Sequence, residues 1–258
     1  MTDGNGAPHN REAVILTRVG LLAMPLVIAG FALRFDLGIA DAIFTASLLL
    51  MLPVLAVSQL LQSGGYIPDR LSAYVGSAST ILLLASIALI LGAIGPGLPA
   101  LGLSAPDPAT AAAMFGLMAF GAVTIMGFFH LTGIRLGWTE TAMTEALIPR
   151  NVHERKMFVV LSFVAGLGEE VVYRGYLMAI LMPLMASPWL AAIVGSLAFA
   201  LLHAYQGGVG VIRTGMMGML FASSLVVGGT LWPAIACHII VNLVGGLWLG
   251  PHVLKDRS

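Results

Sequence analysis

The stretch Met157-Phe-Val-Val-Leu-Ser-Phe-Val-Ala-Gly-Leu-Gly-Glu169-Glu170-Val-Val-Tyr-Arg174-Gly-Tyr-Leu-Met-Ala-Ile-Leu181 reads as a membrane-spanning helix with three charges inside it. About 20 apolar residues carry a helix across the hydrocarbon of a bilayer. A charged side chain near the centre of such a helix costs about 2.5–3.5 kcal/mol on insertion scales. Three unpaired charges would oppose insertion of the whole segment. Their presence predicts that they are paired, face protein or water, and serve a purpose there.

The rest of the chain has the same character. Of 258 residues, 59% are hydrophobic and only 9% are charged, against about 25% charged in a soluble domain. The composition predicts an all-α, polytopic membrane helix bundle. The net charge is zero, so nothing points to nucleic acid or to an acidic partner; the lipid bilayer is the expected surrounding. The single cysteine, Cys237, excludes an intramolecular disulfide and a metal-thiolate cluster. Arg11 and Arg18 precede an apolar run, but no small-residue cleavage site follows a compact apolar core, so the run is expected to remain as a span.

Eight apolar windows are expected as spans: Ala13–Leu33, Ala40–Leu61, Tyr74–Ile94, Ala111–Ile134, Met157–Met182, Pro188–Tyr205, Val209–Gly229 and Trp232–Leu249. Breakers separate them, among them Gly64-Gly65, Gly95-Pro96-Gly97, Pro183 and Gly207-Gly208. With an even number of spans, one side collects Arg11, Arg18, Arg70, Arg135, Arg150, Arg155, Lys156, Arg213, Lys255 and Arg257, while the other has only Arg34. The positive-inside rule then places both termini in the cytoplasm. The expected organisation is a polar tail at 1–12, a transmembrane scaffold at 13–134, a basic cytoplasmic loop at 135–156, a reactive core at 157–249 and a cytoplasmic tail at 250–258. In the loop, Thr139–Ile148 can form a short interfacial helix stopped by Pro149, with Trp138 at headgroup level. A lipid-anchored linker and a substrate-docking surface are both open for it. The scaffold shows few interior polar groups beyond Ser, Thr and His130.

Helix geometry sorts the charges. Glu170 and Arg174 are four apart, on one face and able to pair, while Glu169 is turned about 100° away. An unpaired carboxylate in a dry site is a stronger base than one in water and can act as a general base. The bland reading is a structural clasp between helices. Further on, Phe199 and His203 share a helical face, as do His238 and Asn242. A lone membrane histidine can simply bond a neighbouring helix. Together with the Glu-Glu-x-x-x-Arg run, however, Glu, His, His and Asn suffice for amide hydrolysis.

Glu169-Glu170-x-x-x-Arg174, Phe199-x-x-x-His203 and His238-x-x-x-Asn242 resemble, in order, the three motifs of the CPBP family of intramembrane proteases, which includes type II CAAX prenyl endopeptidases and bacterial "Abi" proteins. The resemblance covers about Phe158 to Leu249. It implies an intramembrane endopeptidase acting on a membrane-associated protein or peptide, with prenylated CAAX tails as one substrate class. It implies that Glu169 activates the attacking water, that His203 shares that water, that His238 and Asn242 stabilise the oxyanion, and that Glu170, Arg174 and Phe199 support them. The expected setting is a multi-pass protein of a bacterial plasma membrane. The expected mechanism requires no cofactor. Were a divalent metal such as zinc involved, Glu169, His203 and His238 would be its ligands.

Other intramembrane proteases fit less well. His153-Glu154 begins like the zinc motif HExxH but lacks its second histidine, Gly166-Leu-Gly168 is followed by Glu rather than Asp, and no Gly-x-Ser-Gly occurs. Ser162 and Ser196 read as small residues at helix contacts, and Gly215 and Gly218 as close-approach positions. His130 is expected to bond a neighbouring helix, Cys237 to pack, and Tyr173 and Tyr176 to pack or to line the cavity. The alternative functions are a proton-coupled transporter using the acids and histidines as a relay, and a non-proteolytic membrane scaffold.

Overall fold

In this computed structural model, residues 8–62 and 66–250 are described, with side chains from residue 11 onward. Residues 1–7 of the expected tail, the Gly64-Gly65 breaker, and residues 251–258 with Lys255 and Arg257 lie outside the described residues. Those described fold into helices, with no strand among them.

α1 spans Pro8–Phe35, so helix begins inside the segment expected as a polar tail. α2 (Ile39–Gln62) widens to π turns at Ser47–Met51, just before Pro53, which has no N–H to continue the regular ladder. α3 is Arg70–Ile94 and α4 is Pro108–Leu136. A short α5, Ala142–Ala146, lies where the interfacial helix was expected. α6 begins as Val152–Glu169, passes into π turns over Glu170–Leu177 and closes with Met178–Leu181. α7 is Pro188–Leu202, α8 Gly207–Gly228 and α9 Trp232–Leu249.

The helix starts are written locally. Asp69, Asp107, Thr141, Asn151 and Ser187 each accept a hydrogen bond from a backbone N–H in the first turn that follows. Pro108 and Pro188 sit at the start of their helices, where an N–H is dispensable. At the C-terminal ends of α4 and α8, Gly137 and Gly229 take φ values of +68° and +65°, which a side chain would resist.

Six described helices are long and apolar enough to cross a membrane: α1, α2, α3, α4, α8 with the turn before it, and α9. Their outer faces are apolar and open. Leu22, Leu26 and Leu33 of α1 and Phe120 and Val123 of α4 are all largely exposed, as lipid-facing side chains must be. The other two expected spans are α6, which holds the three charges, and α7, whose 15 residues would rise only about 22 Å. The chain is an integral membrane protein in which α6 is central. Its π segment is buried at every residue from Glu170 to Leu177. Phe44 and Leu48 from α2, Ala85 and Ala88 from α3, and Ala191, Ala198 and Phe199 from α7 pack around it.

Candidate active site

The site begins with a close backbone approach. Gly166 of α6 faces α9 so tightly that a Cβ there would lie 3.0 Å from the backbone nitrogen of Ile239. This glycine lets α6 and α9 meet one turn before Glu170 and beside His238. The carboxylate of Glu170 accepts at Oε1 from His238 Nδ1 at 2.8 Å and from Arg174 Nη1 at 3.2 Å. The predicted i,i+4 pair is therefore present, and it is fully buried.

Glu169 does not turn away from this pair as expected. Its Oε2 lies 3.7 Å from His238 Nε2, so the two glutamates address the two nitrogens of one imidazole. Helical rotation places adjacent side chains on different faces of α6, but His238, arriving from α9, is broad enough to meet both. Phe221 of α8 stacks on the ring with centroids 5.2 Å apart. The Glu169 side chain is less deeply enclosed than that of Glu170, which is wholly buried.

Arg174 has a second neighbour. Its guanidinium carbon sits 4.3 Å from the ring centroid of Phe199, a cation–π contact in an apolar interior. Arg174 Nη2, Glu170 Oε2 and the hydroxyls of Tyr173 and Ser196 are buried without a hydrogen-bond partner among the described residues. Gly218 of α8 makes room for this group, since a Cβ there would come within 2.7 Å of Arg174 Nη2 and 3.1 Å of Ser196 Oγ. Gly215 has only ordinary contact with Ala200, so of the two glycines Gly218 alone permits a close approach.

His203 stands one turn beyond Phe199, where α7 ends and the chain enters the tight turn Ala204–Gln206. Its ring lies 4.6 Å from that of Phe199, centroid to centroid. Nδ1 is 3.0 Å from the Phe199 carbonyl oxygen, which can only accept, so Nδ1 carries a proton and in the neutral ring Nε2 keeps its lone pair. No hydrogen bond or ion pair joins His203 to Glu169 among the described residues. Asn242 is half-buried one turn after His238, and its carboxamide makes no hydrogen bond among them.

Residues 151–244 match the family model described as type II CAAX prenyl endopeptidase Rce1-like. Over that stretch the chain is similar to the CAAX protease family. No curated protein and no solved structure matches the chain. The Rce1-like domain runs from the N-cap of α6, Asn151, to Val244 of α9 and so contains all three motifs. That similarity supports a peptide-bond hydrolase at the level of the family.

A metal fits these residues poorly. Among the described residues no three His, Cys, Asp or Glu side chains are grouped to hold an ion. Of the conditional trio, Glu169 and His238 approach each other at 3.7 Å, while His203 bonds neither among the described residues.

Tyr173 and Tyr176 are both buried. Cys237 is buried and free, as expected of packing. His130 is exposed on α4 and bonds no neighbouring helix among the described residues, because its face of α4 points outward. The scaffold also holds an acid that sequence reading passed over. Asp41, in the first turn of α2, accepts from the Tyr176 hydroxyl at 2.7 Å. Its signal was present, an aspartate just inside an apolar run, but its partner lies 135 positions away.

Proposed function

We propose that the protein is an intramembrane endopeptidase in which Glu169 and His203 activate water and His238 and Asn242 stabilise the tetrahedral oxyanion. The observation that carries this reading is the His238 imidazole placed between Glu170 and Glu169 inside an Rce1-like domain. Water donates one proton to Glu169 while its oxygen attacks the scissile carbonyl carbon. The free Nε2 of His203 is suited to accept the other water hydrogen and so aim the oxygen. The Glu169 proton then passes to the leaving amine as the C–N bond breaks.

Glu170 assigns the state of His238. Nδ1–H donates to its carboxylate, so a proton on Nε2 makes the ring an imidazolium that donates on both sides. Glu170 and Glu169 together then supply the countercharges for His238 and Arg174. Nε2–H and the Asn242 carboxamide would face the oxyanion as two fixed donors. α6 and α7 cross the membrane with the other six helices, giving eight spans with both termini in the cytoplasm. The cavity opens toward that side or into the inner leaflet. The substrate is a membrane-associated protein or peptide, with prenylated CAAX-type tails as the family's class, and the setting is a bacterial plasma membrane.

The test is peptidase activity of the purified protein in detergent, on a prenylated CAAX peptide and on a library of membrane-protein peptides. Wild type is compared with Glu169→Ala and His203→Ala, each with and without a chelator. Cleavage lost in both variants and indifferent to chelator is the expected result. Loss with chelator in wild type would overturn the metal-free mechanism, and no cleavage by folded wild type would turn the reading toward a scaffold or a carrier.

A further inference from the structure

The turn that carries His203 is short, and little in its own sequence holds it. Gln206 N–H donates to the His203 carbonyl and His203 N–H to the Ala200 carbonyl, and regular helix resumes only at Gly207, with φ at +76°. The bonds that locate the turn come from elsewhere. The Thr141 hydroxyl donates to the Tyr205 carbonyl at 2.7 Å. Gln206 Oε1 accepts from Thr214 at 3.2 Å and from Arg213 Nη2 at 3.4 Å, and its amide nitrogen lies 3.4 Å from the Tyr205 hydroxyl. Arg213 in turn grips Glu140 with both nitrogens, at 2.7 and 3.3 Å. Glu140 and Thr141 belong to the loop once expected to be either a lipid-anchored linker or a docking surface.

The far end of that loop is fastened to α3 and to the start of α6. Arg70 donates to the Ala146 carbonyl and pairs with Glu154 at 3.1 Å. Glu154 also accepts from the Arg150 backbone N–H at 2.7 Å, and the Tyr74 hydroxyl donates to the Leu147 carbonyl at 2.6 Å. Glu154 is in the first turn of the helix that ends at Glu169. One loop thus joins the base of the Glu169 helix to the turn of His203, two groups that make no direct bond.

We infer that residues 138–150 act as a tie bar setting His203 relative to Glu169, with Glu140 and Arg213 as positioning residues. The inference rests on the proposed hydrolytic roles of Glu169 and His203. A misplacement of about 1 Å can cost about 100-fold in rate. The Glu140–Arg213 pair is partly exposed, with 32% and 19% of the two side chains accessible, so breaking it costs the fold little. Positioning and folding are therefore separable at this pair.

The experiment compares wild type, Glu140→Ala, Arg213→Ala and the charge swap Glu140→Arg/Arg213→Glu in detergent. It reads kcat and KM on the prenylated peptide, the thermal midpoint, and amide hydrogen exchange of the peptide covering His203 to Gly207. The expected result is kcat about 10–100-fold lower in each single variant, with KM and midpoint near wild type, faster exchange at the turn, and recovery of both readouts in the swap. Unchanged exchange at the turn in both single variants overturns the tie bar, whatever the activity. Faster exchange with unchanged kcat also overturns it, since the loop would then order the turn without positioning His203. If wild type cleaves nothing, the hydrolytic reading fails on its own, and exchange that quickens in the singles and recovers in the swap still supports the loop as the tie on the turn.

Discussion

Glu170 is the residue on which most of the site's charge depends. It balances Arg174 and orients His238 through one oxygen, in a wholly buried position. Glu170→Gln is expected to lose activity by at least about 100-fold, on the scale of a positioned acid–base group. Removing one member of a buried pair costs about 3–5 kcal/mol, so its thermal midpoint in detergent should fall as well. Glu169 behaves differently, because it is partly accessible and shares no ion pair with an arginine. Glu169→Gln should abolish turnover while leaving the midpoint close to wild type. A variant at Glu169 that melted as early as one at Glu170 would place it in the structural clasp instead. The contrast between the two neighbours was only half legible in sequence. Helical spacing identified which glutamate meets Arg174, but not that both meet His238, since His238 lies 68 positions further on.

At the scale of elements, the π segment of α6 is where the two halves of the chain interlock. π turns recur at functional sites because they shift side chains out of the regular register. Nothing in local propensity announces this one, which is buried on all sides by α2, α3 and α7. The glycines were easier to read, although sequence could not rank them. Gly166→Ala presses a methyl on the α9 backbone and Gly218→Ala presses one on Arg174 and Ser196. Overpacking of this kind costs about 1–3 kcal/mol. Both should lower the midpoint and the rate, whereas Gly215→Ala, with ordinary contacts only, should lower neither. Tyr176→Phe removes the bond to Asp41 and should destabilise by about 1.5–3 kcal/mol, the range for a hydrogen bond to a charged group. Asp41→Asn, which keeps an acceptor, should cost less, and thermal melts of the two side by side decide it.

For the whole molecule, the helix ends beside the loop at 138–150 carry the partly exposed ionic ties. Glu154 has its carboxyl held below the usual range, first by the Arg150 backbone N–H, with the Arg70 guanidinium adding to the effect. A carboxyl depressed on folding stabilises the protein above its unfolded value, ordinarily 4.5, and that contribution fades as pH falls through the lower folded value. Melting from pH 6 downward should therefore show an acid-sensitive step below about pH 4.5 that Glu154→Gln diminishes. A variant as acid-sensitive as wild type would shift the step to another carboxylate. The same ties turn the loop at 138–150 from an expected surface linker into a part of the bundle, a change no hydropathy pattern could reveal.

The sequence by itself determined that this is an all-helical membrane protein, where its apolar helices run, and which seven residues are the candidates for its chemistry. Those properties follow from composition, from helical spacing and from the cost of charge in hydrocarbon, all of which act along the chain. Tertiary structure decided what lies between distant residues: His238 between two glutamates, Arg174 against Phe199, Asp41 on Tyr176, and a loop joined to the His203 turn. Each pairs groups from different helices, and which face of one helix meets another is set by close packing at residues such as Gly166 and Gly218. That packing is a property of the assembled bundle and has no signature in any single segment.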